Sequence, residues 1–114
     1  MKATMTSELA KRECTPCEKK QPPLEPQAIA TLSQQLNAGW TVANQHHLEK
    51  EYTFDDFRGA LEFTKRVGEV AEKENHHPDI FLAWGKVRLK IWTHNIDGLS
   101  ENDFILAAKA DEVQ

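Results

Sequence analysis

The segment 80–94, IFLAWGKVRLKIWTH, gives the clearest indication of the fold. Gly85-Lys86 separates two apolar runs as a turn does, and Gly85 can adopt the positive φ that tight turns require. The segment therefore predicts a hairpin of two antiparallel strands, Ile80–Trp84 and Val87–His94. The second strand alternates with a period of two, which places one set of side chains on each face: Val87, Leu89, Ile91 and Thr93 against Arg88, Lys90, Trp92 and His94.

A second strand pair is predicted upstream, preceded by a helix. Leu24–Asn37 has apolar residues at helical spacing, and Gly39 is a stop signal. Trp40–Asn44 and Leu48–Phe54 then indicate two short strands, joined by a turn at Gln45-His46-His47.

Two further helices complete the pattern. Thr53, with an acid three residues later, resembles a capping box and predicts the start of a helix that runs to about Glu74. Its predicted buried stripe contains Phe57, Ala60, Leu61, Thr64, Val67, Val70 and Ala71. Ser100 is the predicted N-cap of the last helix, with Asp103 at the reciprocal position.

These elements predict an α+β fold in the order α-β-β-α-β-β-α. Short turns within each strand pair favour antiparallel pairing. We therefore expect a four-stranded antiparallel sheet with three helices packed on one face. The other face carries mixed polar and aromatic residues, as expected of a sheet face that meets solvent or a ligand.

Composition limits the classes of function. The chain has 114 residues, enough for one domain, and a net charge of −4, which gives no basic surface for nucleic acid. No apolar run approaches the roughly 18 residues that cross a bilayer, so no membrane partner is expected. The N-terminus is polar and lacks the apolar stretch of a secretory signal, so we expect a cytoplasmic protein.

Residues 1–23 are predicted to form a mobile polar leader, followed by a domain over residues 24–114. The leader contains Cys14-Thr-Pro-Cys17. Such a pair can be half of a zinc site or a redox pair. A structural zinc needs four ligands, and a thioredoxin-like pair follows a strand, so neither interpretation is favoured here.

The chemistry-bearing stretch is Glu72-Lys-Glu-Asn-His76-His77-Pro78, with His94 further along. Histidine exchanges protons near neutral pH, with an unperturbed pKa of about 6.5. Glu72 and His76 are four apart, which places them on one face if the helix continues to residue 76. His94 ends a strand whose hairpin partner begins just after Pro78. The pattern therefore predicts that the three histidines meet in one acid/base site.

Plainer interpretations exist for the same residues. His76 and His77 can cap a helix C-terminus. Three histidines and an acid can also bind zinc, although no pair here has the spacing that puts two ligands on one face. His46 and His47 are expected at the surface of a turn. Each of the three tryptophans is expected in the core, or else against a flat heteroaromatic ligand.

The residues resemble those of the pterin-4a-carbinolamine dehydratase (4a-hydroxytetrahydrobiopterin dehydratase) family over about residues 24–112. The matching elements are Gly39-Trp40, Phe54-Asp-Asp-Phe57, Glu72-x-x-x-His76-His77-Pro78, Trp84 with Lys86-Val87, Thr93-His94, Gly98-Leu-Ser100 and Asp103. The Cys-containing leader is similar to that of bacterial members and is absent from animal ones. Asn75 stands where animal members often carry an acid.

The resemblance implies dehydration of 4a-hydroxytetrahydropterin to quinonoid dihydropterin, with no metal and no bound cofactor. This reaction recycles the cofactor of aromatic amino acid hydroxylases. By similarity, His76 and His94 are the acid/base pair, in an order that stays open, and Glu72 orients the histidines. The implied substrate-binding residues are His77, Pro78, Trp40, Asp103 and Asn75.

The expected partners are a small pterin substrate and further copies of the chain, as a homodimer or homotetramer. A four-stranded sheet has two open edges that can pair across a two-fold axis. Two alternatives to the dehydratase are a pterin-binding or protein-interaction module, like the dimerisation cofactor that animal members provide, and a paralogue acting in molybdopterin metabolism.

Overall fold

The computed structural model describes residues 7–15 and 22–114. The elements follow in the order α1 (Ser7–Ala10), α2 (Pro26–Ser33), β1 (Thr41–Ala43), β2 (His47–Thr53), α3 (Phe57–Glu74), β3 (Asp79–Ala83), β4 (Lys86–Ile91) and α4 (Glu101–Glu112). Apart from the single turn α1, this is the predicted order of three helices and four strands. In the described part of the chain, no helix combines the length and apolar character needed to span a membrane.

The four strands form one antiparallel sheet in the order β1-β2-β4-β3. The predicted alternation of the hairpin is confirmed, because Val87, Leu89 and Ile91 are fully buried. They face the helices, whereas Arg88 on the opposite parity remains exposed. The α+β architecture predicted from the sequence is therefore confirmed.

Helix α4 is the centre of the core. Its residues 104–108 are buried on every side. They pack with Ile29 and Leu32 of α2, Leu48 of β2 and Leu9 of α1 in one apolar cluster. Burying a large aliphatic or aromatic side chain contributes about 1.5–3 kcal/mol, so α4 is a major source of stability.

Helix α3 begins later than predicted, and its buried stripe matches the predicted one only in part, because Ala60, Val67 and Ala71 are buried as expected. Thr53 is the last residue of β2, and the N-cap is Asp56, whose carboxylate accepts from Gly59 N at 2.8 Å. Phe57 and Leu61, which we expected in the core, are 43% and 38% exposed. Phe63 is also buried, because its ring packs on those of Tyr52 in β2 and of Phe54 just after it, at centroid distances of 4.5 and 5.4 Å.

The turn between β3 and β4 requires glycine for a reason other than the one predicted. Positive φ occurs at Gly39 but not at Gly85. A Cβ on Gly85 would lie 2.9 Å from the carbonyl oxygen of Phe54, so the position requires glycine for space. Strand β4 also ends at Ile91, earlier than expected, and His94 opens a short 3-10 turn, His94–Ile96.

The N-terminal segment differs from the predicted mobile leader where it is described. Leu9 and Ala10 are 1% and 8% exposed and join the core, and Lys109 Nζ donates to the carbonyl of Ala10 at 2.6 Å. Residues 7–15 therefore pack against α4. Cys17, the second cysteine of the motif, lies outside the described residues.

A buried carboxylate ties the end of α4 to the sheet. Asp111 Oδ1 accepts from Lys50 Nζ at 2.8 Å and from the Tyr52 hydroxyl at 2.6 Å. Its Oδ2 accepts from Trp40 Nε1 at 2.9 Å. Burial first, and the Asp111 carboxylate second, raise the pKa of Tyr52 far above its usual range, which keeps the hydroxyl protonated as a donor.

We expect Asp111→Ala to lower the free energy of unfolding by about 3 kcal/mol, because it leaves the Lys50 ammonium buried without its partner. Urea unfolding followed by far-ultraviolet circular dichroism measures this loss. The neighbouring exposed Glu112→Ala is the control and should change stability by less than about 0.5 kcal/mol. Equal stability of the two variants would contradict the interpretation.

Candidate active site

The chain turns sharply at the end of α3, so the side chains of His76 and His77 point in different directions. Asn75 adopts the left-handed conformation at φ 55°, which asparagine tolerates better than most residues. The backbone N–H of His76 then bonds to the Ala71 carbonyl at 3.1 Å. Pro78 follows and favours an extended conformation at His77, which leads the chain into β3.

His76 is held by Asp103, a carboxylate with no solvent exposure. His76 Nε2 lies 2.6 Å from Asp103 Oδ1. Asp103 Oδ2 accepts from Ser100 N and from Thr93 Oγ1, both at 2.8 Å. The predicted capping box of Ser100 and Asp103 is present. The same carboxylate also orients an imidazole of the site.

Glu72 pairs with His77 instead of His76. The distance from His77 Nε2 to Glu72 Oε2 is 2.7 Å, and the two side chains are 53% and 79% exposed. The prediction that Glu72 faces His76 assumed that the helix continues to residue 76. It ends at Glu74, so the four-residue spacing no longer places the two side chains one above the other.

His94 reaches the same region from the other side of the fold. After β4, Thr93 forms an isolated bridge with Gly98, and His94 begins the 3-10 turn. The His94 ring packs edge-on against Trp92, with ring centroids 4.1 Å apart and planes at 75°. The turn therefore presents an exposed imidazole beside an indole.

The three histidines line one cavity of about 440 Å³. Asn75 lines it with them, and Trp92, Thr93 and Asn95 contribute from the β4 end. The remaining described lining residues are Cys14, Thr15, Glu74 and Asn102. The sequence predicted the histidines and Asn75 at a common site, and the structure brings them together.

The other residues expected at the site do not line the cavity, although Asp103 and Glu72 hold two of its histidines. Glu72, Pro78 and Asp103 are not among the lining residues, and Asp103 is enclosed behind His76. Trp40, expected to line the pocket, is instead engaged by Asp111 and packs edge-on against Tyr52 at a centroid distance of 6.4 Å. Its position is set by the last turn of α4, which the local sequence around Trp40 does not reveal.

Sequence reasoning missed several residues of the cavity wall. Trp92 shares the parity of His94, and contact with a flat ligand was one of two interpretations for it, but the sequence did not assign it to the cavity of the histidines. Glu74, Cys14, Thr15 and Asn102 gave no usable signal, because their proximity depends on how residues 7–15 cross α4.

His46 and His47 are not both surface residues as expected. His47 is 8% exposed, and its Nδ1 lies 3.1 Å from Nδ1 of His46. His46 Nε2 is 2.8 Å from Asp97 Oδ1, and His47 Nε2 is 2.8 Å from Glu49 Oε2. Both rings lie near Trp92, at centroid distances of 5.4 and 6.2 Å. The pair therefore packs behind the indole that lines the cavity.

The arrangement can do proton-transfer chemistry. Three imidazoles border one cavity. Two of them, His76 and His77, have a carboxylate at Nε2. A carboxylate on one nitrogen fixes the tautomer and leaves the other nitrogen for a ligand. Over residues 7–15 and 22–114, no cluster of three or more histidine, cysteine or acidic side chains has the geometry to hold a metal ion.

Comparisons with known proteins show the family of the chain. Residues 22–113 match the family model described as pterin 4 alpha carbinolamine dehydratase. The chain is 50% identical over 107 residues to a protein of Rubrobacter xylanophilus named as a pterin-4-alpha-carbinolamine dehydratase, covering 94% of this chain and 99% of that one. It is 47% identical over 111 residues to a protein of the same name from Rickettsia bellii, with 97% and 98% covered.

A solved structure shares the fold. The crystal structure titled transcriptional coactivator/pterin dehydratase from Brucella melitensis is similar with a TM-score of 0.74 and 28% identity, over 80% of this chain and 97% of that one. The family match extends over nearly all of the described domain, and the relatives match from end to end. The chain therefore belongs to the pterin 4 alpha carbinolamine dehydratase family.

Proposed function

We propose that the protein dehydrates a 4a-hydroxytetrahydropterin to the quinonoid dihydropterin and water, with His76 and His94 as the acid/base pair. The observation that carries the proposal is the convergence of three imidazoles on one cavity of about 440 Å³. That volume lies within the range of small-molecule sites. Family membership supplies the substrate class.

The chemistry needs two proton transfers and no change of oxidation state. One imidazolium gives a proton to the hydroxyl on C4a, and the C4a–O bond breaks as water leaves. The other imidazole takes the proton from N5, whose electron pair forms the C4a=N5 bond. Each transfer by a positioned side chain contributes about 10²–10⁴ in rate.

Asp103 is a positioning residue in this scheme. Its carboxylate accepts from His76 Nε2–H, so Nδ1 is the nitrogen that exchanges a proton with substrate, in either direction. Since Asp103 is fully buried and bonded to Ser100 and Thr93, the imidazole is held against a fixed support.

Two further lining residues, His77 and Trp92, contact the pterin. His77, held by Glu72 at an exposed position, positions the ring system. The indole of Trp92 lines the cavity and offers an aromatic surface to a planar heterocycle. We further propose that the enzyme is cytoplasmic and returns the spent cofactor of aromatic amino acid hydroxylases for reuse.

We expect His76→Ala and His94→Ala each to lower kcat at least about 100-fold, because each removes one proton-transfer group. The assay generates the carbinolamine in situ with a phenylalanine hydroxylase and follows ultraviolet absorbance. Urea unfolding should show that both variants remain folded. Exposed Glu69→Ala on α3 is the control and should retain wild-type turnover. Near-normal kcat in both histidine variants would refute the acid/base assignment.

Asp103→Asn should lower kcat by about 10–100-fold, because the amide replaces the charged acceptor of His76. Ser100→Ala is the matched control: it removes the N-cap hydroxyl, costs about 1 kcal/mol of stability and leaves the Asp103–His76 bond. Glu72→Gln should reduce kcat less than Asp103→Asn, since its pair with His77 is solvent-exposed. If Ser100→Ala lost as much activity as Asp103→Asn, Asp103 would be acting through helix stability alone.

We also propose that the chain assembles as a homodimer or homotetramer. Strands β1 and β3 are the open edges of the sheet. Phe81 on β3 is 52% exposed, and Phe57 and Leu61 are exposed one turn apart on α3. Exposed apolar groups and unpaired edges both favour association between copies.

Light scattering coupled to gel filtration should give two or four times the 13.0 kDa monomer mass. Combined Phe57→Ser and Leu61→Ser should reduce the assembly if α3 forms a contact, whereas Phe81→Ser tests the β3 edge. A wild-type mass of one monomer at every concentration would contradict the proposal.

A protein-interaction role is the second candidate. The solved Brucella melitensis structure carries coactivator as well as dehydratase in its title. The same exposed apolar residues of α3 could serve such a contact. A folded wild-type protein that does not accelerate dehydration would favour this alternative, and acceleration that His76→Ala abolishes would favour the enzyme.

A further inference from the structure

We propose that the N-terminal strap, residues 9–15, is part of the substrate-binding site. In this inference Cys14 and Thr15 form one wall of the pterin cavity and contribute to substrate affinity. The inference rests on the proposed function and adds to it a segment that lies outside the domain predicted from the sequence. It also gives a location to the first cysteine of the Cys-x-x-Cys motif.

One end of the strap is fixed to the core. The side chain of Leu9 is 1% exposed and packs in the apolar cluster of α4. Lys109 Nζ donates to the Ala10 carbonyl at 2.6 Å. Apolar burial and a hydrogen bond from a charged donor therefore both fix the start of the strap against α4.

The other end is held by side chains that bond to its backbone. Glu74 Oε1 accepts from Cys14 N at 2.9 Å, and Asn102 Oδ1 accepts from Thr15 N at 3.0 Å. Asn102 Nδ2 also donates to the Thr15 carbonyl. The Asn102 amide therefore satisfies both polar groups of one strap residue, as a neighbouring strand would.

These anchors belong to the elements that hold the proposed catalytic histidine. Glu74 is the last residue of α3, two positions before His76, and Asn102 immediately precedes Asp103 on α4. The Glu74 side chain is 7% exposed and its Oε2 lies 3.6 Å from Lys109 Nζ. The strap thus bridges the two segments whose side chains meet in the His76–Asp103 pair.

The strap also forms part of the wall of the cavity. Cys14 and Thr15 line the same space as the three histidines. A wall that contacts substrate equally in the ground state and the transition state affects KM and leaves kcat unchanged. This separates a binding role of the strap from the catalytic role of the histidines.

The first test loosens the strap from either side of its contact with Asn102. Asn102→Ala removes both side-chain bonds to Thr15, and Thr15→Pro removes the N–H donor without changing α4. We expect each variant to raise the KM for the carbinolamine about five- to tenfold, with kcat within about twofold of wild type. Gln27→Ala, an amide-to-alanine change at an exposed position of α2, is the matched control. Wild-type KM in both strap variants would overturn the inference.

The second test does not depend on turnover. In a Cys17→Ser background, the rate of Cys14 alkylation by iodoacetamide is measured by mass spectrometry with and without saturating 7,8-dihydrobiopterin. We expect the pterin to slow alkylation at least about threefold, because the thiol lies in the wall that the ligand covers. An unchanged rate in an enzyme that dehydrates the carbinolamine would overturn the strap proposal and leave the function standing. If pterin slowed alkylation of Cys14 in a protein that lacks dehydratase activity, the proposed function would be overturned, and the strap would still form a wall of a pterin-binding cavity.

Discussion

The buried carboxylate of Asp103 connects the fold to the candidate chemistry. It caps α4 through Ser100 N, fixes the chain after β4 through Thr93, and receives His76 Nε2 at 2.6 Å. A charged group with no solvent exposure is stable only when its oxygens are satisfied, and here three donors from separate segments satisfy them. The requirement to satisfy one carboxylate therefore brings the end of α3, the end of β4 and the start of α4 to a single point.

The candidate site lies where the end of α3, the end of β4 and the start of α4 come together. Helices and strands supply rigid supports, and the short segments just beyond them carry the histidines. His76 and His77 diverge because Asn75 turns the chain in the left-handed conformation, and His94 opens a 3-10 turn directly after the β4 region. Rigid elements give such side chains a defined position, which proton transfer between fixed groups requires.

Much of the fold could be read from local patterns. The alternation in β4 depends only on residues two apart, and the capping box at Ser100 and Asp103 depends on residues three apart, so both were predicted and both are present. The errors arose where the apolar residues of a helix allowed more than one choice of buried face. In α3 the predicted Ala60, Val67 and Ala71 are buried, whereas Phe57 and Leu61 are exposed, and contact with Tyr52 of the sheet selects Phe63 in their place.

Local sequence was enough to predict the order of elements, the antiparallel hairpins, the apolar face of the sheet and the set of histidines that meet, because these depend on periodicity and on chain neighbours. It was not enough to predict which acid holds which histidine, and that became visible in the folded chain. In the structure His76 bonds to Asp103 and His77 bonds to Glu72, and Cys14 lies in the wall of the cavity. These pairings join residues distant in the chain, or depend on where one helix ends. Packing around α4 sets the contacts of Asp103 and Cys14, whereas the exposed pair of Glu72 and His77 follows from the end of α3 at Glu74.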